Sequence, residues 1–544
     1  MADTITATHG PLSSAKTVAA PSEVSVAELK IALQAGRELA FFDVRDEADY
    51  ATGHILYAVH LPYSRLELLA RNLIPRLDAP IILTDAGEGL AEKAASILKA
   101  AGYQSVSLLS GRNQAWLDHG YQFYTGRNVA SIGFFEVVEH ERGTPNITAV
   151  DLKSRIDRGD DLVVLDTRPR EEFEAFHIPG AINAPGAEIL HRLGSLDLKP
   201  DTLVVANCAG RTRSILGAQS LIDAGITNPV ASLTGGTMEW LIAGYELEHG
   251  LGNTAGVAEI RQLDAIRELA KALAQKHRVG IIDTRKLEEF KHDTSRSLFL
   301  FDVRSPEEYR SGHPQGFRHA AGGQLASGAE RFIGIRGARV VLFDPEKVRD
   351  RLTASWLVQL GGYEVYVVDG LSPGTWQTGP EPRNVAVTSA PAPYVLAATL
   401  HEGLGDQPHA VLDLSGSNQY RASHIPGARY VLRAELVEAL AAEKGIVVLT
   451  SEDGALAQIV ASELRATTGK DIRSLLGGNE AWKAAGHPIQ KGGLGPEEGG
   501  DLPDKYALEP GRRNALFREY LNWEVSLVER LTNDPDAKAT FRLG

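Results

Sequence analysis

Short apolar runs alternate with amphipathic segments along most of the chain. Four to eight apolar residues in a row, rich in Val, Ile and Leu, are typical of strands covered on both faces. The clearest runs are PIILT at 80–84, LVVAN at 203–207, RVVLF at 339–343 and GIVVLT at 445–450. A helical pattern follows each run, and this alternation predicts parallel sheets with helices on both faces.

The same arrangement occurs four times, which indicates internal repeats. Each copy opens with an apolar residue and an aspartate, followed by an aromatic residue and a histidine at fixed distances. The openings are FDVRDEADYATGHI at 42–55, LDTRPREEFEAFHI at 165–178, FDVRSPEEYRSGHP at 301–314 and LDLSGSNQYRASHI at 412–425. Each copy closes with a strand, a glycine-containing turn and a tryptophan, at Trp116, Trp240, Trp376 and Trp482.

The opening aspartates lie roughly 110 to 140 residues apart, a normal length for one domain. We therefore predict an α/β protein with four tandem three-layer domains, each a central mostly parallel sheet with helices on both faces. The predicted domains cover residues 22–126, 144–250, 256–380 and 392–490. Turn-forming and polar residues predict linkers at 125–133, 141–146, 248–254 and 378–393.

Two further segments are assigned by their patterns. Residues 282–290 imitate the repeat opening but lack its histidine, because Thr294 stands at that position, so they are predicted to form the entry helix of the third domain. Residues 491–544 predict a linker and an amphipathic helix from about Arg512 to Leu531. This helix is expected to pack against the protein or a second copy, which would make a homodimer, and it is assigned no chemistry.

The charge and the N-terminus exclude several function classes. A formal net charge of −14 argues against nucleic acid, which requires clustered Lys and Arg. No apolar run approaches the roughly 20 residues of a membrane-spanning helix. The first residues have neither the basic nor the apolar region of a secretion signal. We therefore expect a flexible lead-in, a cytoplasmic location, and no membrane or nucleic-acid partner.

The chain contains one cysteine, Cys208. A single cysteine forms neither an internal disulfide nor a thiolate zinc site, so we predict no metal and no cofactor. Two interpretations remain: a buried structural thiol, the usual fate of a free cysteine, or a nucleophile. Alignment of the four copies places Asp85, Asp344 and Ser451 at the position of Cys208.

The residues around Cys208 favour the nucleophile. A strand is predicted to end at Asn207, and a helix to begin near Ser214. Helix N-termini and successive loop amides stabilise anions, and glycine permits the required backbone. These features and two arginines predict a lowered pKa for Cys208. The predicted substrate-binding residues are Ala209, Gly210, Arg211, Thr212, Arg213 and Ser214.

These motifs resemble the rhodanese homology domain, over residues 25–489. The resemblance rests on the Asp-x-Arg opening at 166–168, the His-Ile-Pro-Gly-Ala element at 177–181 and the six-residue cysteine loop at 208–213. Only the second copy has every part: the fourth has Ser415 in place of the arginine, and the third has Pro-Gln-Gly-Phe after His313. Residues equivalent to His177 and Asp166 are also present in the three copies without a thiol, so we interpret both as structural.

The resemblance implies a ping-pong sulfurtransferase. Cys208 would take sulfur from a small anionic donor, with thiosulfate favoured, release sulfite, and pass the persulfide sulfur to cyanide or a thiol. Arg211 and Arg213 would hold the donor oxyanion, while Ala209 departs from the basic residue that usually follows the cysteine in thiosulfate-specific loops. Two alternatives stay open: a sulfur carrier or scaffold without turnover, and a cysteine phosphatase, which would need arginine where Ser214 stands.

Two-domain family members often pair an inactive first domain with an active second one. The resemblance therefore implies that the first two domains form the working pair, with the first domain walling the site. A fragment ending near Gly252 is then expected to keep most of the activity, and residues 256–490 are expected to have none.

Overall fold

The structure is a computed structural model that describes residues 21–254, 260–386, 390–403 and 408–543. The predicted lead-in, at residues 1–20, lies outside the described part. Each sequence repeat forms one α/β unit, as the hydrophobic pattern predicts. The strands within each main sheet are parallel, and one two-stranded antiparallel pair is added in the third unit.

The first unit has the strands β1 (Ser22–Val24), β2 (Ala40–Asp43), β3 (Val59–His60), β4 (Ile81–Thr84) and β5 (Val106–Leu109). Their order in the sheet is β1-β5-β4-β2-β3. The helices are α1 (Val26–Gln34), α2 (Glu47–Thr52), α3 (Leu66–Leu73), α4 (Leu90–Ala100) and α5 (Arg112–Asp118).

A linking helix, α6 (Val129–Arg142), leads to the second unit. The strands there are β6 (Asn146–Ile147), β7 (Leu162–Asp166), β8 (Ile182–Asn183), β9 (Leu203–Asn207), β10 (Val230–Leu233) and β11 (Asn253–Thr254). They are ordered β11-β8-β7-β9-β10-β6. The helices are α7 (Ala149–Arg158), α8 (Arg170–Ala175), α9 (Ile189–Leu193), α10 (Thr212–Ala224) and α11 (Gly236–Ile242).

The third unit begins with helix α12 (Ile260–Lys276). Its strands are β12 (Gly280–Ile282), β13 (Leu298–Asp302), β14 (His313–Pro314), β15 (Arg318–His319), β16 (Arg339–Phe343), β17 (Glu364–Val368) and β18 (Trp376–Gln377). The main sheet is ordered β12-β17-β16-β13-β15. The other helices are α13 (Thr284–His292), α14 (Pro306–Ser311), α15 (Gly322–Ala326) and α16 (Arg349–Leu360). Helix α13 confirms most of the helix predicted at 282–290, but Ile282 ends strand β12 and the helix begins at Thr284.

The fourth unit has the strands β19 (Tyr394–Val395), β20 (His409–Asp413), β21 (Arg429–Tyr430), β22 (Ile446–Thr450) and β23 (Ile472–Leu475). Their order is β19-β23-β22-β20-β21. The helices are α17 (Ala397–His401), α18 (Ser417–Ala422), α19 (Leu436–Ala442), α20 (Ala455–Thr468) and α21 (Gly478–Ala484). The C-terminal segment ends in α22 (Pro510–Asn533) and α23 (Pro535–Thr540).

The linker predicted at 125–133 is wrong over most of its length, because helix α6 begins at Val129. The sequence Val-Ala-Ser-Ile-Gly-Phe-Phe is buried on all sides, so its small residues serve close packing and do not mark a turn. Gly133 faces helix α22, where an added Cβ atom would lie 2.1 Å from Leu531 Cδ1. The predicted C-terminal helix is confirmed and packs along α6.

The units do not form the predicted pairs of first with second and third with fourth. Helix α12, from the third unit, supplies Leu263, Ile266 and Leu273 to the hydrophobic core of the second unit. Trp356 of α16 donates a 2.8 Å hydrogen bond to Ser220 of α10. The first unit packs on the third and fourth units through the contacts Leu39–Arg336 and Arg433–Glu67. A single interlocked body results because apolar faces of α6, α10 and α16 all meet in the first core cluster.

Over the described ranges, every helix is too short or too polar to traverse a lipid bilayer.

Candidate active site

Cys208 directly follows strand β9, at the carboxyl edge of the second sheet. Asp85, Asp344 and Ser451 follow β4, β16 and β22 in the same way. The carbonyl of Cys208 accepts a 2.9 Å hydrogen bond from the amide of Thr237. Asp85 and Ser451 accept the equivalent bonds from Asn113 and Asn479, at 3.0 and 2.9 Å. The alignment made from the sequence therefore has the correct register.

The cysteine loop is closed on its inner side by the turn after strand β10. Gly236 has a positive φ of 53°, and a Cβ atom there would lie 2.3 Å from the Cys208 carbonyl oxygen. Only glycine fits this approach. The same close backbone approach occurs in the fourth unit, where a Cβ atom on Gly478 would lie 2.1 Å from the Ser451 carbonyl oxygen. The glycine-containing turns of the second and fourth units thus fix the loop after the neighbouring strand, whereas Arg112 adopts the corresponding positive φ, 55°, in the first unit.

The thiol of Cys208 is buried, with 2% of the residue exposed. Ser214, in the first turn of α10, donates a hydrogen bond from its hydroxyl to Sγ over 3.0 Å. Burial raises the pKa of the Cys208 thiol, while Arg213 and the bonds from Ser214 lower it by less. The predicted lowering is therefore wrong for this closed arrangement, because the loss of hydration outweighs the positive groups.

The two loop arginines point to different surroundings. Arg213 binds both oxygens of Glu172 at 2.9 and 2.8 Å, and its charge acts on the Cys208 thiol. Arg211 instead binds Glu136 at 2.9 Å and also contacts Glu139, both on α6. The structure therefore brings Arg213 to the Cys208 thiol and pairs Arg211 with two carboxylates of α6; the role of either arginine in holding the donor stays a prediction.

The third unit shows how this loop binds an anion. The carboxylate of Asp344, at the position of Cys208, accepts backbone hydrogen bonds from Glu346, Val348 and Arg349 at 3.1, 3.3 and 2.9 Å. The Arg349 side chain also binds it at 2.9 Å. Burial opposes ionisation here, but Arg349 holds the pKa of Asp344 well below its usual range.

Arg349 stands where Arg213 stands in the second unit, and it contacts Glu308 at 2.7 Å as Arg213 contacts Glu172. The donors equivalent to those around Asp344 are the amides of Gly210, Thr212 and Arg213. In the first unit, Asp85 likewise accepts loop amides, from Gly87 and Ala91 at 3.0 Å each. The loop of the second unit can therefore hold a negative sulfur or oxygen atom at its centre.

The repeated aspartate and histidine are structural, as the sequence indicates. Asp166 accepts from Arg168 Nε at 2.9 Å and from Asn207 Nδ2 at 2.9 Å. His177 stacks on Phe173 with ring centroids 4.0 Å apart. The corresponding aromatic–histidine pairs of the other three units stack at 3.8 Å. These contacts brace the sheet edge, and the aromatic–histidine stack is also present in the three units without a thiol.

The C-terminal segment covers the cysteine loop, which sequence reasoning missed. Tyr506 shares a 3.0 Å hydrogen bond with Thr237 and packs on Phe176 at 4.6 Å between ring centroids. From α22, Tyr520 and Glu524 lie against Gly210. Thr212 donates a 3.1 Å hydrogen bond to Glu524. The amphipathic pattern of α22 predicts packing, but nothing local in the sequence indicates which surface it covers.

The C-terminal segment covers the cysteine loop on the side where the first domain was expected to enclose it. Helix α6 and the C-terminal segment contribute the groups beside the loop, namely Glu136, Glu139, Tyr506, Tyr520 and Glu524. The expectation that a fragment ending near Gly252 is self-sufficient is therefore not supported, because that fragment lacks both the cover and helix α12.

Comparisons with known proteins agree with this geometry. The sequence profile of the rhodanese-like domain matches residues 25–119, 148–243, 291–371 and 396–485. A crystal structure of a thiosulfate sulfurtransferase from Pseudomonas aeruginosa is similar, with a TM-score of 0.88 and 39% sequence identity, over 96% of this chain and 99% of that one.

Curated relatives match single regions. The HTH-type transcriptional regulator Rv0324 of Mycobacterium tuberculosis is 36% identical over 110 residues, 20% of this chain and 47% of the regulator. The adenylyltransferase and sulfurtransferase UBA4 of Meyerozyma guilliermondii is 34% identical over 89 residues, 15% of this chain and 21% of that protein. This chain thus spans less than half the length of these two relatives.

Proposed function

The chain belongs to the rhodanese family, and on that premise we propose that it is a thiosulfate sulfurtransferase that works through a persulfide on Cys208. The observation that carries the proposal is the anion-binding loop of the third unit, where loop amides and Arg349 surround the Asp344 carboxylate. The same loop in the second unit has a thiol in place of that carboxylate. Units one, three and four serve as structural partners.

In the first half-reaction the Cys208 thiolate attacks the outer sulfur of thiosulfate. An S–S bond forms to Sγ, the sulfur–sulfur bond of the donor breaks, and sulfite leaves with the bonding electron pair. The loop amides and Arg213 stabilise the thiolate and then the persulfide. Because Cys208 is buried, the donor must displace part of the cover to reach Sγ. Burial raises the pKa of the thiol, and Arg213 and the bonds from Ser214 oppose that rise and favour the thiolate.

In the second half-reaction an acceptor attacks the outer sulfur of the persulfide. The Cys208–sulfur bond breaks, its electron pair returns to Sγ, and the acceptor leaves as thiocyanate or as a new persulfide. The phosphatase alternative is not favoured, because Ser214 stands at the position of the required arginine and its hydroxyl contacts Sγ at 3.0 Å. A sulfur carrier remains the second candidate, because the thiol is covered in this closed arrangement.

Turnover separates the enzyme from the carrier. With thiosulfate and cyanide, the enzyme is expected to form many equivalents of thiocyanate per chain, whereas a carrier would accept one sulfur and stop. The measurement is a thiocyanate time course at known protein concentration. Sulfur loading without turnover would replace the proposed activity with the carrier function, and no loading would contradict both.

Arg213→Ala is expected to weaken the use of thiosulfate by about 1–3 kcal/mol, the range for a lost charge-assisted hydrogen bond. The matched control is Arg211→Ala, which removes the same group from the face toward α6. It is expected to lower thermal stability, because Glu136 and Glu139 lose their partner, with a smaller effect on donor use. Equal specificity constants for wild type and Arg213→Ala would show that the donor is held elsewhere.

A further inference from the structure

Glu524 is a buried carboxylate of α22 that contacts the cysteine loop of the second unit. It comes from α22, 312 positions after Thr212 in the loop it contacts, and only 1% of it is exposed. Its Oε1 accepts from the Thr212 hydroxyl at 3.1 Å. Its Oε2 is buried without a hydrogen-bond partner of acceptable geometry among the described residues. A free buried carboxylate oxygen is costly and calls for an explanation.

The unpartnered oxygen faces the catalytic loop. A Cβ atom added at Gly210 would lie 3.1 Å from Glu524 Oε2 and 3.3 Å from Tyr520 Cε1. Gly210 therefore leaves room for this carboxylate beside the loop that holds the sulfur. The charge of Glu524 also acts on the Cys208 thiol, so the two buried groups lie close enough to interact.

A fixed negative charge beside a thiolate and an anionic donor would oppose the first half-reaction. A carboxyl group that changes its protonation state does not, because it can be neutral while the donor binds and ionised when a proton must be taken up. We propose that Glu524 is the group that accepts the proton of a thiol acceptor in the second half-reaction, an inference that rests on the proposed sulfurtransferase function.

The step balances in atoms and charge. The neutral Glu524 carboxyl group first gives its proton to the persulfide anion that the first half-reaction leaves on Cys208. The acceptor S–H proton then moves to the Glu524 carboxylate, and the acceptor sulfur forms a bond to the outer sulfur of the protonated Cys208 persulfide. The Cys208–sulfur bond breaks and its electron pair leaves with Sγ as a thiolate. The products are the acceptor persulfide, the Cys208 thiolate and the neutral Glu524 carboxyl group. Cyanide ion brings no proton, so its reaction needs no such base.

The surroundings of Glu524 agree with this role. Burial raises the pKa of Glu524, while Thr212, Arg211, Tyr520 and Lys505 lower it by less. The other charged groups facing it are Glu136 on α6 and Cys208 itself. The raised pKa, about 7, keeps the carboxyl group neutral up to a higher pH than an exposed carboxyl group, and it becomes ionised as the pH rises through neutrality.

The test is Glu524→Gln in the full chain, which keeps an acceptor for Thr212 but removes the base. With dithiothreitol as acceptor we expect kcat/KM to fall by about a hundredfold, and with cyanide to change by less than about threefold. The rise of the thiol reaction between about pH 6 and about pH 8 should also be smaller in the variant. Glu529→Gln, an exposed acid on the same helix, is the matched control and should match wild type.

A test of sulfur transfer from thiosulfate to Cys208, measured by the intact mass of the protein, distinguishes failure of this inference from failure of the proposed function. Wild type that does not load contradicts the sulfurtransferase itself. Suppose that wild type loads and turns over. An equal fall of kcat/KM with dithiothreitol and with cyanide in Glu524→Gln would then show a purely structural contact. An unchanged kcat/KM with dithiothreitol would show that Glu524 takes no proton. Either result overturns the inference while the proposed function stands.

Discussion

Cys208→Ser is expected to reduce turnover of thiosulfate with either acceptor by at least about a thousandfold, because removal of a nucleophile leaves only binding effects. A serine hydroxyl is a far weaker nucleophile toward sulfur and cannot form a persulfide. The protein should still fold, since serine already occupies this position in the fourth unit. There Ser451 accepts the amide of Ala457 at 3.3 Å. The measurement is the initial rate of thiocyanate formation.

The fold of the variant is checked by its thermal unfolding midpoint and near-UV circular dichroism, which should match wild type. Ser451→Ala provides a second comparison, because it alters the equivalent position of a unit that we propose to be inactive. It should leave turnover unchanged. Substantial turnover by a well-folded Cys208→Ser variant would show that another group carries the sulfur.

The fragment comprising residues 1–252 is expected to lose both its stable fold and its activity. It lacks Leu263, Ile266 and Leu273, which complete the core of the second unit. It also exposes Phe134 and Phe135, which pack on Trp356. Each large apolar side chain contributes about 1.5–3 kcal/mol when buried, so these losses rival the whole stability of a domain, about 5–15 kcal/mol.

Co-expression of residues 1–254 with residues 255–544 is the control for this prediction. If the two halves associate through α10, α12 and α16, folding and sulfur transfer should return together. The assay is co-purification followed by the thiocyanate rate at equal concentration of complex. A monomeric, well-folded fragment 1–252 with wild-type activity would contradict the interlocked arrangement and support the pairing predicted from the sequence.

Repetition explains why the fold and the reactive position could be predicted from the sequence. Period and composition define strands such as β9, and the four aspartates set a common register. That register places Asp85, Asp344 and Ser451 opposite Cys208, and the backbone hydrogen bonds after each strand agree with it in three units. A lone thiol among four equivalent positions is visible without any structure.

Packing between the units could not be predicted, since it depends on surfaces far apart in the sequence. The small residues of α6 are typical of a turn in the sequence, but in the structure they allow α22 to pack closely on Gly133. Nothing local in the sequence indicates that Arg211 pairs with Glu136 and Glu139 of α6. The pKa of Cys208 depends on burial by a segment about 300 residues away, which no local motif reveals.

A persulfide on Cys208 can be detected by the intact mass of the protein after treatment with thiosulfate, combined with peptide mapping. We expect one added sulfur atom per chain, located on the peptide that contains Cys208, removed by cyanide and absent in Cys208→Ser. Wild-type protein that is folded yet gains no sulfur, or gains it on a peptide without Cys208, would contradict the persulfide mechanism.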